Sequence, residues 1–374
     1  MHSHRDRRQG FHPLAIVRGL RLSVAAGIAR GSRRGPAELM SGRGAGAHGR
    51  SPGRTGGGRI RRAGAVLIVM IGASHAAGSA MAVTWVPMQV VVEATSVVAV
   101  GPGAVVTRIH ATSGAVLGRV PVPARVAVTD VIAHGERLWL LGWVGRASWL
   151  GVLDRKTLMT TGAWRFGGDL GGLAAAGGSV WSVSQPHGEP VRLGADGSRV
   201  RSGIRGVLAL AGRAHGGLWA VQQRRAGGKA TCSVLVLNGR TGAVQRRFGV
   251  PCRPTGVVEE GTSLWVLYGG GNRVTRIDPD STAVPPPTRI GSVAFPIAGA
   301  ASPDALFVVS DYTLAVHRLA PWQQGIRSDV VAVTPPPVGI GSGPAGVWAA
   351  SSASGGVLTH LSPEGRVVNR FHLS

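Results

Sequence analysis

The chain is nearly without lysine, has two cysteines, and lacks the short motifs that usually carry chemistry. Of its 374 residues 41 are basic, but only Lys156 and Lys229 are lysine. Carboxylates are scarce too, 17 in all, so the formal net charge is +24. No Gly-x-Ser-x-Gly elbow is present, which removes the usual signature of a hydrolase nucleophile. The glycine-rich stretches 167–172 and 269–271 lack the Lys-Ser/Thr of a phosphate loop and read as turns. His110, His134, His187, His215, His317, His360 and His372 form no i, i+2 or i, i+4 pair. They read as ordinary polar residues of turns and strands, and no metal site and no cofactor are expected. The arginines after residue 62 are scattered singly, without a basic stripe interleaved with aromatics. Specific nucleic-acid binding is therefore not expected, and attraction to anionic polymers or headgroups is what the charge leaves open.

What the sequence does have is a repeat. Leu138-Trp139-Leu140, Val180-Trp181-Ser182, Leu218-Trp219-Ala220, Leu264-Trp265-Val266 and Val347-Trp348-Ala349 share one pattern. Phe307 fills the same slot, and one step back from Trp139 lands on Val98. From Trp139 onward the spacings are 42, 38, 46, 42 and 41 residues. About 13 residues after most of these positions comes a polar turn: 110–116, 154–160, 194–200, 238–244, 278–284 and 362–368. A short apolar run precedes each position. Each unit therefore reads as four short strands joined by three turns. Seven such units span 83–374, 41.7 residues apiece. Four-stranded units of this period predict an all-β fold, a seven-bladed β-propeller. The aromatics are predicted to be wedges packed between neighbouring blades rather than ligand contacts.

The Leu264-Trp265-Val266 core, the run Val274-Thr275-Arg276-Ile277-Asp278-Pro279 and the strand opening Thr241-Gly242-Ala243-Val244 resemble those of bacterial propellers of the YVTN, NHL and virginiamycin B lyase-like kind. The resemblance covers all seven units and implies the scaffold. Lyases of that kind use a His and a Glu with a magnesium ion, and no local motif here matches those residues. Quinone-dependent dehydrogenases carry a repeated Asp-x-x-Thr-Gly docking motif with a Trp. Here Asp154-Arg155-Lys156-Thr157, with Trp164, echoes it once and at another spacing.

Residues 1–62 are a different polymer, with 14 Arg against Asp6 and Glu38. They read as a disordered Arg/Gly-rich tail. Residues 63–82 follow Arg59-Ile60-Arg61-Arg62 with an apolar stretch, 63–73, and small residues ending in Ala80-x-Ala82. This is the pattern of an export signal cut after Ala82, or of an uncleaved membrane anchor. Translation from Met1 or from Met40 leaves that reading unchanged. An extracellular or cell-envelope location is predicted, with the membrane engaged through 63–82 if uncleaved.

Cys232 and Cys252 flank the turn at 238–242 in one unit, and in an exported domain they are predicted to form a disulfide. A regular ladder centred on that turn would pair Cys232 with about residue 248. Aligning the units puts Asp130, Asp169, Arg205 and Arg253 where loops enter the innermost strands, with Phe295 and Pro337 in other blades. Two carboxylates and two guanidinium groups around a channel mouth suit a small polar ligand. The expected function is an exported or anchored binding module for such a ligand or for an envelope protein. The alternatives are a propeller enzyme, lyase or quinone-dependent, acting at the central channel, and the sensor ectodomain of a single-pass protein.

Overall fold

A four-stranded sheet of alternating residues has two apolar faces and cannot bury both alone, so its stability comes from stacking on copies of itself. The computed structural model describes residues 89–373, apart from 102–103, 169, 269–271, 291–295, 311–312 and 323–324. The tail expected at 1–62 and the export segment at 63–82 lie outside the described residues. Among the described residues no helix is long and apolar enough to cross a membrane.

Blade 1 holds β1 (Gln89–Val92), β2 (Ser96–Gly101), β3 (Val105–His110) and β4 (Val116–Pro121). Blade 2 holds β5 (Ala127–His134), β6 (Arg137–Val144), β7 (Ala147–Asp154) and β8 (Thr160–Gly167). Blade 3 holds β9 (Leu170–Ala176), β10 (Ser179–Ser184), β11 (Glu189–Leu193) and β12 (Arg199–Arg201). Blade 4 holds β13 (Val207–Arg213), β14 (Gly217–Ala226), β15 (Lys229–Asn238) and β16 (Val244–Val250). Blade 5 holds β17 (Pro254–Glu260), β18 (Ser263–Tyr268), β19 (Arg273–Ile277) and β20 (Thr288–Arg289). Blade 6 holds β21 (Pro296–Ser302), β22 (Ala305–Ser310), β23 (Ala315–Trp322) and β24 (Gly325–Val331). Blade 7 holds β25 (Gly339–Gly343), β26 (Gly346–Ser351), β27 (Val357–Leu361) and β28 (Val367–His372).

Each blade is an antiparallel meander in sequence order, so no strand is exchanged between the chain's two ends. The first strand of every blade is innermost and adjoins the first strands on either side, with β1 beside both β5 and β25. The ring therefore closes within 89–373.

The wedges act as the sequence predicts. Trp181, Trp219, Phe307 and Trp348 are fully buried on the second strands. Among the described residues seven apolar clusters form, and each spans two adjacent blades. Trp139 and Leu141 pack on Leu173 and Val180 of blade 3. Trp219 and Val221 pack on Leu264 and Val266 of blade 5. Trp348 and Ala350 close the ring on Val97 and Ala99 of blade 1. Val98 and Val100 fill the wedge role in blade 1, against Leu138 and Leu140. Period-2 alternation explains the pattern: the wedge and the residue two further on face the next blade, and those between face the previous one. Outer strands such as β12 stay exposed.

Polar bonds reinforce the stacking. Arg108, Arg192, Arg276 and Arg318 all sit on third strands, directly opposite the wedge position. Three of them reach into the polar turn of the next blade: Arg108 donates to the Arg155 carbonyl at 2.7 Å, Arg192 to Arg240 at 2.7 Å, and Arg318 to Pro363 at 2.5 Å. The indole N–H of Trp181 donates to the Gly239 carbonyl of blade 4 at 2.8 Å. Only glycine fits at 239, because a Cβ there would lie 2.1 Å from the Gly216 carbonyl oxygen.

Candidate ligand-binding face

A propeller has two ends. On one, here the entry face, the innermost strands begin and the hairpins between second and third strands turn. On the other lie the turns between first and second strands and between third and fourth.

Sequence alignment places four charged residues on the entry face, and the structure describes three of them. Arg205 precedes β13 and Arg253 precedes β17, both exposed. Arg253 takes a left-handed backbone with φ of 79°. Asp169 lies outside the described residues. Asp130 lies deeper than the alignment implies, as the fourth residue of β5. A β-bulge between Val128 and Asp130 inserts Thr129 and turns Asp130 toward blade 3. Its carboxylate accepts the Val131 N–H at 2.8 Å and the Leu173 N–H of β9 at 2.6 Å. Burial pushes this carboxyl up to about 6, against the two backbone hydrogen bonds that lower it. Asp130 thus ties two innermost strands together.

The bulge recurs in β9, β13, β17 and β21. It sits toward the entry end of each of these strands.

Several of the exposed cations at the entry face lie in or beside blade 4. From Gly197 to Val258 the chain has eleven Arg and Lys and no carboxylate. The single scatter read from sequence does not hold here, where Arg224-Arg225 and Arg246-Arg247 are adjacent. Some of these cations have structural partners. Arg247 donates to Gln222 at 2.7 Å and to Ser233 at 2.9 Å, and Gln222 in turn donates to the Arg205 carbonyl at 2.7 Å. Arg246 donates to the Pro279 and Ser281 carbonyls of blade 5. Arg224, Arg225 and Lys229 are exposed at the end of the β14–β15 hairpin.

Cys232 and Cys252 are joined in a disulfide, as expected from sequence. The ladder differs in detail: Cys232 pairs with Val250, two residues beyond the regular expectation, after a bulge at Val236/Leu237. The bond ties the β14–β15 hairpin to the segment that carries Arg253.

Among the described residues, two cavities open on the opposite face. One of about 460 Å³ lies between blades 2 and 3, beside His134, Arg137, Trp139 and Arg192. The other, about 800 Å³, lies among blades 5 to 7, beside Glu260, Arg276, Ser302 and Pro344. In the larger one Glu260 accepts both Arg276 Nε at 2.7 Å and the Trp265 indole N–H at 2.9 Å.

Sequence reasoning missed a buried carboxylate. Glu93, in the turn after β1, is 5% exposed. It accepts Arg108 Nη2 at 2.8 Å, Arg155 Nε of blade 2 at 2.5 Å, and the Ser96 hydroxyl. Burial raises its pKa, but the hydrogen bonds from Ser96 and Arg155 and the two positive charges outweigh this and hold it below its ordinary value. The recurring Arg opposite the wedge was the available signal.

Two of the histidines serve packing. His317 is fully buried, with Nε2 2.8 Å from the Thr313 hydroxyl, and burial lowers its pKa. His360 stacks on Trp348 with ring centroids 4.6 Å apart. Among the described residues no three His, Cys, Asp or Glu are grouped so as to hold a metal.

No family model and no curated protein matches the chain. Solved structures do. The virginiamycin B lyase of Staphylococcus aureus aligns over 70% of this chain and 90% of its own, with TM-score 0.56 and 16% identity. A streptogramin B lyase aligns over 71% and 90%, with TM-score 0.56 and 18% identity. The hydrazine synthase of Kuenenia stuttgartiensis aligns over 74% and 96%, with TM-score 0.56 and 14% identity. Proteins of such different chemistry share this scaffold, and at these identities the likeness shows the seven-bladed propeller fold alone.

Proposed function

We propose that the protein is an exported or membrane-anchored binding module of the cell envelope that takes an anionic ligand or partner on its entry face. The observation that carries this is the set of five exposed entry-face cations within the carboxylate-free stretch 197–258. Its members Arg205, Arg224, Arg225, Lys229 and Arg253 lie around the start of β13, the β14–β15 hairpin tip and the start of β17. A concentration of one sign of charge raises the local concentration of the opposite sign and speeds encounter. Of the two carboxylates expected at the mouth, Asp130 is committed to backbone N–H groups and Asp169 lies outside the described residues, so the reading rests on the exposed guanidinium groups of Arg205 and Arg253. Export rests on the basic flank, apolar stretch and small-residue end of 59–82.

The test uses a photo-crosslinking residue placed at Arg253 in the native host, with one at Thr262 on the opposite face for comparison. Crosslinks from 253 that disappear when Arg205 is replaced by Ala support the reading. Equal crosslinking from both faces, or recovery of the protein in the cytoplasm, refutes it.

A further inference from the structure

The β14–β15 hairpin is longer than its counterparts. β14 runs seven residues past Trp219, to Ala226, whereas β10, β18, β22 and β26 each end three residues past their wedge. The hairpin of blade 2 reaches an intermediate five residues, to Val144. Four extra residues at about 3.3 Å each carry the blade 4 hairpin ~13 Å further out. The extension pairs throughout, from Gln223–Cys232 through Arg224–Thr231 and Arg225–Ala230 to Ala226–Lys229. It is a formed ribbon with Gly227 and Gly228 at its turn, and both have left-handed backbones. Its exposed side chains include Arg224, Arg225 and Lys229. The disulfide grips its base at Cys232.

The ribbon projects from the entry face, the same face on which the described chain begins at Gln89. Only six residues separate Gln89 from Ala82, the end of the segment read above as an export signal or anchor. Fully extended, six residues span ~20 Å. If that segment is retained in a membrane, the entry face is tethered near the bilayer, and the ribbon bridges much of the remaining gap.

We propose that the β14–β15 ribbon is a cationic finger that docks on the anionic headgroups of the membrane to which residues 63–82 tether the chain. The finger carries positive charge at its tip with no carboxylate beside it in sequence, and near an anionic surface each Lys or Arg adds to the attraction. The bond at Cys232 keeps the finger's direction fixed, so the tip is presented rather than left to fold back. This rests on the entry face being the binding face and on residues 63–82 being retained.

The test uses the full chain with an environment-sensitive fluorophore on Gly228→Cys, and a control with the label on Thr262→Cys of the opposite face. Vesicles of phosphatidylcholine, with and without phosphatidylglycerol, are added. The expected result is a spectral shift at 228 that requires phosphatidylglycerol, fades with salt, and is absent at 262. In R224Q/R225Q/K229Q, with the tail and apolar segment unchanged, the shift at 228 should be lost. A label at 228 indifferent to phosphatidylglycerol overturns the proposal. So does a shift produced by polyglutamate but not by anionic vesicles, which assigns the finger to an acidic protein. If the finger fails while crosslinking at 253 still depends on Arg205, the binding-face reading stands without it. If both fail, that reading falls too.

Discussion

Two carboxylates flank blade 2, and the protein treats them oppositely. Glu93 lies at the junction with blade 1 between two guanidinium groups and a hydroxyl, and its pKa is lowered. Asp130 lies at the junction with blade 3 on two peptide N–H groups, and burial pushes it up to about 6. Both bridge neighbouring blades. The difference lies in whether a cation shares the site, because desolvation penalises both carboxylates and only a charge or several hydrogen bonds can overcome it. Blade 4 completes the contrast: seven cations stand between Val207 and Val250, with no carboxylate among them. Arginine joins blades where a carboxylate or carbonyl meets it, and is left to solvent or a partner where none does.

Glu93→Gln should have the largest effect. Removing the shared carboxylate leaves Arg108 and Arg155 facing each other without compensation, and breaking such a partly buried pair costs about 3 kcal/mol. Urea unfolding at neutral pH measures this. The pH dependence sharpens it. A carboxyl with a lowered folded pKa contributes stability that is complete above its unfolded value, near 4.5, and is lost as pH falls through the folded value. The advantage of the wild type over Glu93→Gln should therefore shrink as pH drops below 4.5. An advantage constant down to strongly acid pH would mean that packing, not charge, holds this junction.

The next effect is that of the disulfide. Replacing Cys232 and Cys252 by Ser opens a crosslink spanning 20 residues. The loss of chain-entropy stabilisation is about 2–3 kcal/mol, read as a lowered unfolding midpoint. The finger should become more susceptible to limited proteolysis at Arg224, Arg225 and Lys229 while the other blades stay resistant. Uniform susceptibility would show that the bond serves the whole ring rather than this hairpin.

Asp130 should give a smaller effect of opposite pH sign. Its folded pKa is raised, so the folded protein binds a proton more readily than the unfolded chain between about 6 and the ordinary value of 3.8. Stability contributed by this group rises as pH falls through that window. Relative to Asp130→Asn, the wild type should gain on the order of 1 kcal/mol between pH 7 and pH 4.5. A wild type that loses ground to the variant over this range would place a cation near Asp130 and end the contrast with Glu93.

The repeat was legible because stacking blades demands one large apolar residue at a fixed strand position every 40 or so residues. Trp139, Trp181, Trp219, Trp265, Phe307 and Trp348 wrote that demand into the sequence, and even Val98 was found by counting back. The turns were legible for a similar reason: Asp154 accepts the N–H groups of Lys156 and Thr157, and Asn238 those of Arg240 and Thr241. The junction at Glu93 was legible only in part: the recurring Arg opposite the wedge pointed to Arg108, but Arg155 comes from 62 residues away in the next blade and local spacing carries no trace of it. Asp130 was misplaced by one inserted residue. A bulge at Thr129 shifts which face the following side chain occupies, and strand alternation alone cannot announce it.

The smallest effect should fall on the finger, and it tests the third term of the contrast. Arg224, Arg225 and Lys229 are exposed, and no ion pair engages any of them among the described residues. Substitutions at such positions change stability by within about 0.5 kcal/mol each. Their neighbours across the ribbon are Thr231, Ala230 and Ala226, none of them a carboxylate. Neutralising all three should leave the urea midpoint unchanged or slightly raised, since like charges crowded at one tip repel. The same variant should lose the anion-dependent response of the tip. A drop of more than about 1 kcal/mol would show that these cations are held by the fold, as Arg108 and Arg155 are. Unchanged stability with lost binding would separate the two uses of arginine in one molecule: blade joining at Glu93, and recognition at the end of blade 4.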